Sequence, residues 1–224
     1  MKKEKKIKNT MKKCLVLPSV GLSLLLLSVF FLGACSSLPF PGSPAESLFV
    51  IASSIDREYD GGEKKVSKVI LTLERLPEEN TEEAAGGSED GSGDESADRT
   101  EEFLVTLKHG EPYGTAALEP GEYIITKINV HSFLTEEPGQ NWIDEHIVYY
   151  PFFIEKRTVR LYEQVFLLEA EPPDGEGYTL AFAPLSSEEK KLDIFKALRS
   201  DGRWPGWERY ILVGFPEEAS EITE

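Results

Sequence analysis

YGTAALEPGEYIITKI, residues 113–128, decides how the chain is read. Pro120 holds φ near about −65° and Gly121 accepts a positive φ, so Glu119-Pro120-Gly121 reads as a tight turn. Tyr123 opens the β segment that follows. The pattern of short apolar segments between turn residues then extends in both directions. Upstream, SLFVIASSI carries an unbroken apolar run, Leu48 to Ile51, which suits a strand buried on both faces. DREYDGGEKK is turn-rich around Gly61-Gly62. In VSKVILTLERL, Val69, Leu71 and Leu73 alternate with Lys68, Thr72 and Glu74, the period of a strand with one wet face. Downstream, FLVTLK, GEYIITKINV, IVYYPFFI, TVRLYEQVFLLEA, YTLAFAP and RYILVGF are rich in β-branched or aromatic residues and bounded by Gly, Pro and Asp. YTLAFAP sets Tyr178, Leu180 and Phe182 against Thr179, Ala181 and Ala183.

One segment has helical rather than strand period. SSEEKKLDIFKALRSDG opens with a capping-box pattern, Ser186-x-x-Glu189. It places Leu192, Phe195 and Leu198 on one face and ends at Gly202. Many short strands and one late helix predict a mainly β fold, an antiparallel β-sandwich of prealbumin-like or Ig-like type with one short C-terminal helix, over residues 48–215. The phrase at 113–128 resembles the strand-turn-strand of prealbumin-like and Cna-B-like sandwich domains, in which a Leu-x-Pro-Gly-x-Tyr turn recurs. That resemblance implies a sandwich and carries no function. FFIEKRTVRLYEQVFLLEA is similar to a phrase of small bacterial lipoproteins, with Arg157 in place of their turn glycine.

The sandwich is flanked and interrupted by segments of different composition. Residues 77–102 hold eleven acids, one arginine and no large aliphatic or aromatic residue. Such a run cannot offset its ordering entropy by burial, so it is expected to be disordered, an insertion at a hairpin tip. Residues 36–47, SSLPFPGSPAES, predict a flexible tether. Residues 216–224 read as a frayed acidic tail.

The start of the chain is a leader. Residues 1–13 contain seven lysines and one glutamate; residues 14–34 contain no charge and run into SVFFLGACSS. A basic stretch, an apolar stretch and small residues mark a secretory signal peptide over residues 1–34. Met1 and Met11 both suit as the start. Leu32-Gly33-Ala34-Cys35 resembles the lipobox of bacterial lipoproteins. The resemblance implies signal-peptidase recognition at Leu32, Gly33 and Ala34, cleavage before Cys35 and a diacylglyceryl group on its thiol, hence a membrane partner. Of the two cysteines, Cys14 leaves with the leader and Cys35 takes lipid, so no disulfide is expected in a compartment that permits them.

Removal of the leader takes the formal net charge from −16 to −22. That surface argues against nucleic acid, whose binding requires basic patches. No phosphate loop, Gly-x-Ser-x-Gly elbow or zinc spacing is present, and no cofactor or metal is expected. His109, His131 and His146 lack ligand spacing, and Asp144-Glu145-His146 reads as a polar loop after Trp142. Asp90-Gly91-Ser92-Gly93-Asp94 lacks the ligand order of an EF-hand. The candidate binding cluster is DGRWPGWERY. There Trp204, Trp207 and Tyr210 either stack on a sugar or protein partner or pack the helix onto the sandwich, with Trp204 the more exposed candidate.

These readings predict a lipid-anchored, extracytoplasmic protein acting as a binding or structural module, with an envelope protein or glycan as partner. The alternative is a glycan-acting envelope enzyme with loop carboxylates. Ser36 is not the aspartate of the enteric inner-membrane sorting rule, which by resemblance favours an outer membrane.

Overall fold

The computed structural model describes residues 38–59, 62–77, 101–137, 139–171 and 177–221. The expected leader and lipobox-like residues Leu32 to Cys35, and the acidic run 78–100, lie outside the described residues.

The first strand, β1 (Ser47–Ile55), is buried on both faces, as its apolar run predicts. Phe49, Ile51 and Ile55 point into one core and Leu48, Val50 and Ala52 into another. The next strands are β2 (Glu58–Tyr59), β3 (Lys64–Arg75), β4 (Glu102–Leu107), β5 (Tyr113–Leu118) and β6 (Gly121–Leu134). They are followed by β7 (Asn141–Ile154), β8 (Thr158–Ala170) and β9 (Tyr178–Pro184). Helix α1 (Glu188–Ser200), a 3-10 turn (Trp204–Gly206), β10 (Ile211–Val213) and α2 (Glu217–Glu221) complete the chain.

Two five-stranded sheets form. The first has the order β10-β8-β1-β5, with β9 also on β8; the second has β2-β3-β6-β7, with β4 also on β3. The mainly β sandwich expected from the strand pattern is present. The second sheet is antiparallel throughout. The first is mixed, because β8 runs parallel to both β1 and β10. Parallel neighbours need long crossovers. Strands β2 to β7 supply one, and α1 with the 3-10 turn supplies the other.

The inner core lies between the sheets, around Phe49, Leu71, Tyr123, Ile125, Phe152 and Phe166. The outer core covers the other face of the first sheet, where Leu48, Val50, Val159 and Leu161 meet Ile194, Phe195 and Leu198 of α1. The fold is therefore three layers: helical cap, first sheet, second sheet. The helix begins one residue later than its sequence pattern implies: Ser187 is the N-cap, its hydroxyl accepting from the Lys190 N–H at 3.2 Å. It ends on Asp201 in extended conformation rather than on a left-handed Gly202.

The turn at Pro120-Gly121 is present, with Gly121 at φ 151°. It does not close a hairpin; it carries the chain from β5 in the first sheet to β6 in the second. Arg75 latches it, donating to Glu119 Oε2 and to the Pro120 carbonyl at 2.9 Å each. By contrast β3 and β4 pair directly from Val69–Leu107 to Glu74–Glu102, so the acidic run does join two strands of one hairpin.

Two expected loose ends are ordered instead. Leu38 is fully buried in the outer core, so the chain from Leu38 onward is docked and not a free tether. Part of the tail forms α2, whose Ala219 is buried in the same core.

Candidate interaction surface

The aromatic cluster of the sequence is a structural element. Trp204 is 2% exposed and Trp207 0%. Trp204 meets Phe195 edge-on at 5.6 Å and Trp207 meets Tyr210 at 4.9 Å. Trp207 Nε1 donates to the Pro39 carbonyl at 2.9 Å. The outer face of the first sheet is apolar and needs cover, which one 13-residue helix does not fully provide. The Gly/Pro turn folds its two indoles down over the remainder. Trp204, Trp207 and Tyr210, which is only partly buried, thus do not form an exposed binding surface.

The exposed apolar surface is elsewhere, on β7. This strand pairs with β6 alone and forms an edge of the second sheet. Strand period divides its residues between two faces. Val148, Tyr150, Phe152 and Ile154 face the inner core. Ile143, Ile147, Tyr149 and Phe153 face out; Ile147 is 74% and Tyr149 70% exposed. With Trp142, they make five of the eight large hydrophobic residues exposed among the described residues. Scattered apolar residues on a surface need no explanation, whereas a row along one strand marks a contact surface.

The backbone of this edge is partly blunted against strand addition. Pro151 offers no N–H, and between Ile147 and Tyr150 the strand advances three residues against two on β6. Glu145, paired with Lys127 Nζ at 3.3 Å, interrupts the apolar row. Side chains, rather than open hydrogen-bonding groups, are what β7 presents.

Asp144, Glu145 and His146 lie inside β7, not in a loop. Their strand is half exposed and edge-placed, so polar residues alternate through it without ending it. Tyr178 of β9 donates its hydroxyl hydrogen to Asp144 Oδ2 at 3.1 Å. His146 Nε2 lies 3.1 Å from the Tyr178 hydroxyl oxygen and, with the phenol proton given to Asp144, donates to that oxygen. Burial, reinforced by the Asp144 charge, holds the Tyr178 phenol far above the ordinary tyrosine range. A phenol so held keeps its proton, so the trio acts as a strap between the two sheets. Tyr59 packs edge-on against Tyr178 at 5.1 Å and donates to Ser132 Oγ at 2.8 Å.

The other two histidines are placed structurally. His109 Nδ1 sits 2.7 Å from the Ile55 carbonyl. Burial, and then Lys68, lower the pKa of His131. No group of three metal-ligating side chains occurs among the described residues. A concavity of about 360 Å³ lies at one end of the second sheet, lined by Gly62, Glu63, Leu134, Thr135 and Glu136. Thr135 uses its polar groups to close that end, donating to the carbonyls of Gly62 and Glu63.

The β7 surface has a sequence signal of its own: IVYYPFFI is apolar at both strand phases, more than a half-buried strand requires. No protein-family model, no curated protein and no solved structure matches the chain.

Proposed function

We propose that the protein is a lipid-anchored, extracytoplasmic envelope lipoprotein whose sandwich domain is a binding module, and that the outward face of β7 is where its partner docks. The observation that carries the reading is the row Ile143, Ile147, Tyr149 and Phe153 on one edge strand. The anchor rests on the leader and on Leu32-Gly33-Ala34-Cys35, and an outer membrane is the favoured address in a cell that has one. The partner is an envelope protein with an apolar patch of its own. Aromatic and branched side chains at the centre of a contact supply most of its energy. The strong negative charge around them selects against other acidic proteins by repulsion.

A photo-crosslinking residue at position 149, introduced in intact cells, tests the docking face. The expected result is one predominant crosslinked protein, lost when Ile147 is changed to Glu. Crosslinks spread evenly over many proteins, or unchanged by Ile147→Glu, would overturn it. The anchor is tested separately by Cys35→Ser: a mature, lipid-bearing product from that variant would sink that part of the reading.

A further inference from the structure

The amino end of the domain is clamped by one loop. The Leu38 side chain is buried, and its N–H donates to Asp201 Oδ2 at 3.2 Å. Arg203 Nη1 donates to the Leu38 carbonyl at 2.9 Å. Trp207 Nε1 holds the next carbonyl, that of Pro39. The Arg203 guanidinium then covers the Phe40 ring at 4.8 Å from its centre. Pro41 packs so close to Gly206 that a Cβ there would stand 3.1 Å from the proline ring. Three hydrogen bonds, a cation–π contact and a close packing contact thus join residues 38–41 to residues 201–207.

Only Ser36 and Ser37 separate this clamp from Cys35. Fully extended, three residues span about 10 Å. The interfacial layer on one side of a bilayer is itself roughly 5–8 Å deep. A lipid on Cys35 therefore leaves the clamp almost no freedom to stand off from the membrane. The side chains around it suit that position. Phe40 is exposed, and residues 199–209 carry three of the eight arginines of the chain, Arg199, Arg203 and Arg209, against two acids, Asp201 and Glu208. Arginine binds phosphate oxygens in a fork geometry, and the small positive excess here contrasts with a chain that is otherwise acidic.

We infer that in the anchored protein the loop Gly202–Arg209, with Phe40 and Arg199, lies against the lipid headgroups, so that the domain is held in one orientation by a short leash. The helical cap then faces the bilayer and the second sheet faces away from it. At about 10 Å per layer, β7 stands some two layers above the headgroups, open to a partner in the envelope. The inference rests on the lipoprotein reading and adds the docked face.

The test uses the chain from Cys35 onward, in which Cys35 is the only cysteine. Its thiol is coupled to a maleimide-bearing phospholipid in vesicles of equal parts phosphatidylethanolamine and phosphatidylglycerol. Amide hydrogen exchange is compared with that of a variant carrying a flexible linker of about ten Gly and Ser residues between Ser37 and Leu38. The expected result is several-fold slower exchange over Gly202–Arg209 in the directly coupled protein. Equal exchange in the two proteins, or protection that falls on β7 instead, would overturn the inference. Because the coupling is synthetic, the result does not depend on whether cells lipidate Cys35, which the Cys35→Ser product decides by itself.

Discussion

Trp204 and Trp207 are both buried in the outer core, yet they are bonded differently. Trp207 Nε1 has the Pro39 carbonyl, while Trp204 Nε1 meets no protein acceptor. Replacing either by Ala should cost about 3–5 kcal/mol, as for other buried large aromatics. Replacement by Phe separates them. Trp207→Phe loses a hydrogen bond and frees a carbonyl of the amino clamp, whereas Trp204→Phe removes an unsatisfied donor along with its packing volume. Denaturant melts should therefore rank Trp207→Phe as the more damaging. Arg157 is a second residue whose conformation makes a prediction. It sits at φ 59° between β7 and β8, a left-handed position that costs a side-chain-bearing residue roughly 1–2 kcal/mol. Glycine avoids that strain at some cost in unfolded-state entropy. Arg157→Gly should raise stability by up to about 1 kcal/mol in the same melts.

Elements with a single dominant signal were legible from sequence, and those whose signal is set by their neighbours were not. The doubly buried β1 announces itself through Leu48 to Ile51, and the wet face of β3 through its charged residues. In β8 the register shifts, because the strand advances four residues, Leu161 to Val165, while β1 advances two, Val50 to Ala52. The two extra residues keep the strand in phase, so Leu161 and Val165 both serve the outer core and Tyr162 and Phe166 both serve the inner one. Nothing local in TVRLYEQVFLLEA reveals that shift. The same limit hid the docking of Leu38: a Ser- and Pro-rich stretch reads as a tether until Asp201, Arg203 and Trp207 are brought beside it. The two tryptophans were ambiguous for a related reason, since only the bare outer face of the first sheet shows what they cover. At this scale the β3–β4 hairpin also makes a prediction. Its ladder is complete to Glu74–Glu102, so excision of residues 79–100 should leave cooperative unfolding intact. Tm should shift by no more than a few degrees, since each kcal/mol is worth about 2–4 °C in a domain of this size. Loss of the cooperative transition would show that the run is part of the core.

Across the whole molecule the inner core sets a limit on alkaline stability. Burial pushes both Tyr123 and Tyr162 up to about 12 from an ordinary value of 10. A phenol whose pKa is raised by folding stabilises the fold fully below the unfolded value, and that contribution is lost as pH climbs through the folded value. Stability should hold to about pH 10 and fall steadily toward pH 12, with part of the tyrosine absorbance change appearing only as the protein unfolds. Melts at successive pH values check the sign: a plateau through pH 12 would contradict it. The parallel pairing of β1 with β8 has a consequence of another kind, in the order of events as the chain is made. Leu48 hydrogen-bonds in the neighbourhood of Val159, so the first strand to emerge lacks a central neighbour until most of the chain has followed. Pairings between residues so distant in sequence form slowly. A chain built this way stays open through most of its synthesis, and it closes into its three layers only after β8 and the helical cap have been made.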